Sequence, residues 1–419
     1  MEAFVNAFLY LLNLGAAAIL PVSIFLMGLL FRLKPGQALK CGIVTGIGYI
    51  GISLTINLLM DNLGAAAQQM VDRLNLSLDV IDGGWASGAA AAWGFPISAL
   101  LVLVCILVNI GMIVTGLTKT MFIDIWNYWH LLFIGVTVQA VTGSVILSVA
   151  ATALAEAAIL ITADKTAPLV QSYFGLEGVS LPTASAMMWV PLGFGIDWVL
   201  ERIPGVKNWN VDGEWMKKHL GIFGEPAVLG VILGCGLGLL AGYDAGAVWN
   251  LGIHMGAVMF LMPKMVEILV EGLRPLTVAA QEMVSRRFQG RKLLISLDAG
   301  VAIGHPSVIS TALLLVPVMI LLAAILPGNR VLPFGDLASI PFFVAFIVAH
   351  NKGNILKSVL TGTVLLAVTL LMASDFAPAY TQVMGAADYV FPDGMSQMSS
   401  LSCGGNPFNW ILIRLAGLF

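Results

Sequence analysis

Apolar residues in this chain run in blocks of roughly 20 or more, separated by short polar breaks, rather than recurring along one helical face. A helix of that length crosses a hydrocarbon core of about 30 Å. The pattern predicts spanning helices over 4–31, 39–60, 96–118, 129–163, 183–200, 225–242, 245–262, 307–326, 334–350 and 354–374. The 129–163 block suits one long helix or a broken one. A last apolar stretch from Trp410 to Phe419 is too short to cross and predicts the start of a terminal helix. The first block lacks a basic leader and a small-residue cleavage site, so a retained span is expected there rather than a signal peptide.

Composition turns this pattern into a class. Of 419 residues, 59% are hydrophobic and 10% charged, and the mean hydropathy is +0.94. A soluble domain carries about one-quarter charged residues, so a soluble globular protein is excluded. The net charge of -3 provides no basic face for nucleic acid. Cys41, Cys105, Cys235 and Cys403 stand apart, without the spacing of a zinc site, a redox pair or a disulfide framework.

Loop charges orient the spans, because basic loops stay cytoplasmic. Arg32, Lys34 and Lys40 place the first loop inside and the N-terminus outside. The 61–80 loop, with Arg73 against Asp61, Asp72 and Asp79, reads as external. Lys119 brings the chain back inside, and Arg202, Lys207, Lys217 and Lys218 mark a cytoplasmic connector at 201–222.

The chain also resembles itself. Gly28-Leu29-Leu30 matches Gly238-Leu239-Leu240, Gly36 matches Gly246, and Gly42-Ile43 matches Gly252-Ile253, all at one offset. After a short insertion, 66–73 matches 279–286 and Ser77-Leu78-Asp79 matches Ser296-Leu297-Asp298. The matched loops differ in charge. The basic 32–40 loop faces a 243–250 loop without Lys or Arg, whereas 61–80 faces a 263–292 stretch bearing Lys264, Arg274, Arg286, Arg287, Arg291 and Lys292. Equivalent loops on opposite sides of the membrane predict inverted-topology repeats around a midplane site, the plan of many alternating-access transporters.

The expected fold is therefore an all-α polytopic membrane protein of two inverted five-helix repeats and a terminal helix, with its C-terminus inside. The expected units are 1–200, the connector 201–222, a second repeat over 223–374, and an external loop with the start of the terminal helix over 375–419.

Two broken segments, 79–95 and 293–306, are too irregular to span and predict re-entrant hairpins whose tips meet near the midplane. Irregular backbone at that depth requires protein or a watery cavity around it. An ordinary external loop is the alternative for 79–95. Ionisable groups inside a bilayer are costly by about 2.5 kcal/mol or more and so mark pathways or internal partners. Asp298 could accept hydrogen bonds from vicinal hydroxyls, or it could cap a half-helix. Its partner by symmetry is Asp82 or Asp79. Trp85 could stack on the C–H face of a polyol or anchor an interface. His130 follows an aromatic run, 126–129, that a membrane-interface belt explains without explaining the histidine. His305 could line the second hairpin or bond a freed carbonyl. Glu225 and Asp336 open helices, which the helix dipole alone accounts for. His219, His254 and His350 have no supporting constellation. No zinc-protease, Walker or Ser/His/Asp arrangement occurs in the sequence, so neither catalysis by this chain alone nor a cofactor is expected.

With these strings in hand, the sequence resembles the membrane-spanning IIC component of the galactitol-type phosphotransferase system, in the superfamily that includes the ascorbate IIC transporter. The resemblance covers essentially the whole chain. It is carried by Asp124-Ile125-Trp126-Asn127 with Trp129-His130, Leu176-Glu177-Gly178, 201–206, Phe223-Gly224-Glu225-Pro226, Ala241-Gly242-Tyr243-Asp244, Leu297-Asp298 with Gly304-His305, Pro327-Gly328-Asn329 and 331–338. It implies a homodimer with a scaffold and a moving core that works as an elevator. It also implies a polyol substrate phosphorylated by a separate IIB subunit, which a IIA protein recharges. No phosphorylated residue is then expected in this chain. In the ascorbate relative, ligand is held near positions matching Asp298, His130, the 82–86 hairpin and the 180–183 loop. Galactitol-type members carry His where this chain has Thr183, so the particular alditol does not follow from the resemblance. The expected IIB docking surface is the connector with the basic 263–292 arm, whose cations equally suit anionic lipid. An ion-coupled transporter of a polyol or small acid is the alternative function.

Overall fold

The computed structural model describes residues 16–73, 78–205, 211, 215, 218–219, 221–287, 293–333, 335–387 and 397–417. Most of the connector, the start of the first expected span, and the side chains of Arg286, Arg287, Arg291 and Lys292 lie outside the described residues.

In the first half, α1 (Ala16–Leu30) and α2 (Pro35–Arg73) lead to β1 (Val80–Asp82), α3 (Gly84–Gly94) and α4 (Ser98–Thr115). Then come β2 (Thr120–Met121), a 3-10 turn (Ile125–Tyr128), α5 (Trp129–Thr142) and α6 (Val145–Tyr173). β3 (Val179–Ser180), α7 (Ala184–Met187) and α8 (Val190–Leu200) end it. The second half runs α9 (Pro226–Ala241), α10 (Ala245–Arg287), β4 (Leu294–Ser296), α11 (Gly300–Ile303) and α12 (Pro306–Ile325). β5 (Val331–Leu332), a 3-10 turn (Leu337–Ser339), α13 (Ile340–His350), α14 (Ile355–Ala386), β6 (Gln397–Ser399) and α15 (Pro407–Ala416) complete it.

Six helices among the described residues are long and apolar enough to cross a membrane, and three shorter apolar segments accompany them. The protein is a polytopic, helical membrane protein. Leu54, Leu107 and Ile146 point outward and are exposed. That is the pattern of helices solvated by lipid.

Several boundaries differ from the hydropathy blocks for visible reasons. The 129–163 block is broken: Gly143, at φ 71°, ends α5 by donating to the Gln139 carbonyl, and Ser144 caps α6 by accepting from the Leu147 amide. Helices α2 and α10 run far past the predicted ends, because their amphipathic C-terminal parts stay helical without being wholly apolar. Helix α14 continues to Ala386, through residues expected to begin an external loop.

Helices α2 and α10 pack closely along their length. A Cβ on Gly48 would meet the Leu269 backbone, and one on Gly272 would meet the Thr45 backbone. Small residues at such crossings let helix backbones approach where lipid supplies no hydrophobic drive between helices.

Two small parallel sheets tie the halves together. One has the order β5-β1-β6, so a first-half strand lies between two second-half strands, with Val80 opposite Val331 and Gln397. The other has the order β2-β4-β3, with Ile295 opposite Met121 and Val179. Neither β1 nor β4 pairs with a strand of its own half. At the edge of the first sheet, Arg330 pairs with Asp79 and also donates to the Gln397 side chain. The guanidinium holds the Asp79 carboxyl below the usual carboxylate range.

A polar cavity between the two broken segments

A carboxylate stands at the end of β1 and two residues past the end of β4, and each accepts from the first amide of the short helix that follows. Asp82 Oδ1 accepts from the Gly84 amide at 3.1 Å, and Asp298 Oδ1 accepts from the Gly300 amide at 2.5 Å. Asp82, rather than Asp79, shares this two-residue spacing with Asp298. Asp79 is an exposed partner of Arg330 instead.

The two carboxylates are otherwise used differently. Asp82 is fully buried, and it also accepts from the Leu401 amide at 3.3 Å and the Asp336 amide at 2.8 Å. Asp336 answers by accepting from the Trp85 amide at 2.8 Å, the Ser400 hydroxyl at 2.7 Å and the Ser402 amide at 2.8 Å. This first pair is engaged in holding backbone. Asp298 Oδ2 accepts instead from the side-chain amide of Asn127 at 2.7 Å, and that nitrogen also donates to Asp124 at 2.7 Å. Asp298 is only half-buried and faces open space.

That space is a cavity of about 190 Å³. Helix α2 contributes Tyr49, Ser53 and Asn57, and the start of α3 contributes Trp85. Trp126, Asn127, Trp129 and His130 come from the turn before α5 and its first residues. Asp298 and Gly300 close one end, and Ser185, Ser339 and Ser402 bring hydroxyl-bearing residues to the wall. The Trp85 and Trp129 rings lie 6.1 Å apart. Both ring nitrogens of buried His130 lack a hydrogen-bond partner among the described residues. Carboxylate, amide and imidazole groups set among indole rings can hydrogen-bond hydroxyls while covering C–H faces, as in polar-specific ligand pockets generally.

Of the seven residues singled out in sequence, Asp298, Trp85 and His130 line this cavity. Thr183 lies behind it: its buried hydroxyl accepts from the Ala299 amide at 2.7 Å and so holds the backbone beside Asp298. Asp82 lies in the first sheet and is not among the lining residues. His305 caps α12, accepting from the Ser307 amide at 3.3 Å, and packs against Tyr173 and Phe174 rather than against the cavity. Glu225 is exposed at the start of α9, away from the cavity wall.

Asn127, Ser402 and Tyr49 were not anticipated as site residues. Asn127 carried a signal, since Asp124 and Asn127 are three residues apart and one 3-10 turn brings them together. Ser402 belongs to the string Ser399-Ser400-Leu401-Ser402, whose place beside β1 depends on β6 pairing with that strand.

A membrane-embedded helical scaffold around a partly open cavity, with polar groups set among aromatic rings, is the arrangement of a small-solute permease. The chain belongs to the EIIC-GAT family, described as the sugar-specific permease component of the phosphotransferase system, whose family model matches residues 10–394. It is 35% identical over 406 residues to the galactitol-specific EIIC component of Escherichia coli K12, covering 97% of this chain and 90% of that protein. The galactitol-specific component of Escherichia coli O157:H7 matches to the same extent. A permease IIC component of Escherichia coli K12 whose name specifies no substrate is 38% identical over 409 residues, covering 98% of this chain and 93% of that relative.

Proposed function

We propose that this chain is the import subunit for galactitol or a closely similar alditol, delivering it to a phosphorylated IIB partner that IIA recharges. The observation that carries the reading is the Asp298–Asn127 pair at 2.7 Å on the wall of a cavity otherwise rich in indole rings. Every carbon of a linear polyol carries a hydroxyl beside C–H, and the wall supplies hydrogen-bond acceptors and aromatic faces to meet both. Family membership and the galactitol-specific relatives support the substrate class.

The transport cycle belongs to the same proposal. The element order from α1 to α8 recurs from α9 to α15, with turns at 401–405 in the place of α7. The terminal helix then counts as the counterpart of α8 rather than as an addition to the repeats. Loop charge supports opposite orientation of the two series, with the N-terminus outside and the C-terminus inside a bacterial inner membrane. The carrying unit is a core holding both hairpins, which moves as an elevator against the α2–α10 pair, and the working assembly is a homodimer. The connector 201–222 and the basic 263–292 arm receive IIB.

The test is a binding panel of galactitol, sorbitol, mannitol, arabitol and ascorbate on purified protein, followed by uptake into vesicles. Galactitol should bind and should accumulate only with IIB and phosphoenolpyruvate present. Uptake that instead follows an imposed proton or sodium gradient and ignores both would establish the ion-coupled alternative.

A further inference from the structure

Ser402 sits in the turn after β6 and is 1% exposed, yet it lines the cavity. Its backbone amide donates to Asp336 Oδ2 at 2.8 Å, while Asp336 Oδ1 takes the Trp85 amide at 2.8 Å. One carboxylate thus fixes the Ser402 backbone relative to that of Trp85. Three neighbouring hydroxyls are engaged: Ser399 donates to the Ala373 carbonyl at 2.7 Å, Ser400 to Asp336 at 2.7 Å, and Ser87 is within 2.7 Å of the Tyr380 hydroxyl. Ser402 Oγ has no partner among the described residues. A buried hydroxyl without a partner is unfavourable, and its natural remedy at a cavity wall is a ligand group.

We infer that Ser402 Oγ hydrogen-bonds one hydroxyl of the transported alditol, and that the 400–402 turn is a specificity-determining wall of the site. The inference rests on the alditol reading above and deepens it. Backbone tethering to Asp336 holds the turn carrying the Ser402 hydroxyl in place, so the contact selects for position along the carbon chain as well as for polarity. Trp85, tied to the same carboxylate, fixes the aromatic face against which that position is measured.

The experiment compares wild type, Ser402→Ala and Ser402→Thr for binding of galactitol and its monodeoxy analogues, with thermal stability followed in parallel. Ser402→Ala should weaken galactitol binding by about 2- to 13-fold, the range for one neutral hydrogen bond. The deficit should vanish for the analogue that lacks the contacted hydroxyl and persist for the others, and Ser402→Thr should recover part of the affinity. Equal deficits for every analogue, or none for galactitol, would overturn the contact while leaving galactitol transport intact. Wild-type protein that binds ascorbate but no alditol would overturn the alditol reading and this inference with it.

Discussion

Asn127 donates one hydrogen of its side-chain amide to Asp298 and the other to Asp124, each at 2.7 Å. With both hydrogens used, what Asn127 can offer a ligand is its carbonyl oxygen, an acceptor beside an acceptor. The wall is therefore biased toward hydroxyl donors, and Asp124 sets that bias by fixing which way the amide points.

Replacing Asp298 by Asn should weaken alditol binding by about 10- to 150-fold, the range for a hydrogen bond to a charged group. Asp124→Asn should cost less, about 2- to 13-fold, because it frees the Asn127 amide to turn without removing the carboxylate at the cavity. Titration calorimetry on purified protein reads both. Unchanged affinity in Asp298→Asn would remove that residue from the site.

Thr183 acts through backbone. Thr183→Val keeps the shape but leaves the Ala299 amide without its acceptor, at a cost of about 1–3 kcal/mol. Part of that cost should appear as lower stability and part as weaker binding, as the segment bearing Asp298 loosens. Thr183→Ser should preserve both. A valine variant that binds and melts like wild type would show that the hydroxyl positions nothing.

A third prediction concerns the meeting of two backbones. Gly84 has φ +72°, and a Cβ on Gly335 would press into the Gly84 amide and Cα. Gly335→Ala should destabilise the protein by about 1–3 kcal/mol through overpacking. Thermal unfolding in detergent should record a lower midpoint. Gly385→Ala, where a Cβ meets nothing within 4 Å, serves as the control. Equal midpoints for the two variants would refute the tight approach.

The parts of this molecule legible in sequence were those encoded locally. Helices α4, α9 and α12 start and stop within two or three residues of their hydropathy blocks, because each is bounded by Gly, Pro or a polar loop. Asp298, Trp85 and His130 were legible because an ionisable or aromatic residue stands out in a broken apolar segment. What escaped was the pairing between halves. Nothing local says that β1 lies between β5 and β6, and without that sheet Asp336 and Ser402 read as a helix cap and a loop serine. That His305 and Glu225 stand apart from this cavity was equally hidden, because a residue at a helix start looks the same in sequence whether or not a cavity lies beside it.

Acid sensitivity should have one identifiable source at the sheet edge. Because Arg330 lowers the folded-state pKa of Asp79 beneath the unfolded value of about 3.9, the pair stabilises the protein above that value. The contribution is lost as pH falls through the depressed folded value. The pair is largely exposed, so the amount is at most about 1 kcal/mol. Asp79→Asn should lower the melting midpoint slightly near neutral pH, and the difference should close below about pH 3.9. A difference that stays constant across that window would assign the effect to something other than titration of Asp79.

The last prediction concerns sidedness. Arg73, at the end of α2, donates to the Leu240 carbonyl at 2.8 Å, so the C-terminal ends of α2 and α9 lie on one side of the membrane. A side chain satisfying the last carbonyls of a neighbouring helix is favoured there by the helix dipole. The loop after α9 bears Asp244 and no cation, whereas the start of α2 is flanked by Arg32 and Lys34, so loop charge predicts that the shared end is outside. If the two series are inverted, the far end of α10 near Arg286 must be cytoplasmic. Single cysteines at Asp72, Asp244, Lys34 and Arg286, in a background lacking the four native cysteines, can be probed in intact cells with a membrane-impermeant maleimide. Asp72→Cys and Asp244→Cys should label from outside, and Lys34→Cys and Arg286→Cys only after permeabilisation. Labelling of Asp72→Cys and Arg286→Cys from the same face would dismantle the inverted arrangement, and with it the basis for placing the two hairpin tips in one cavity from opposite sides.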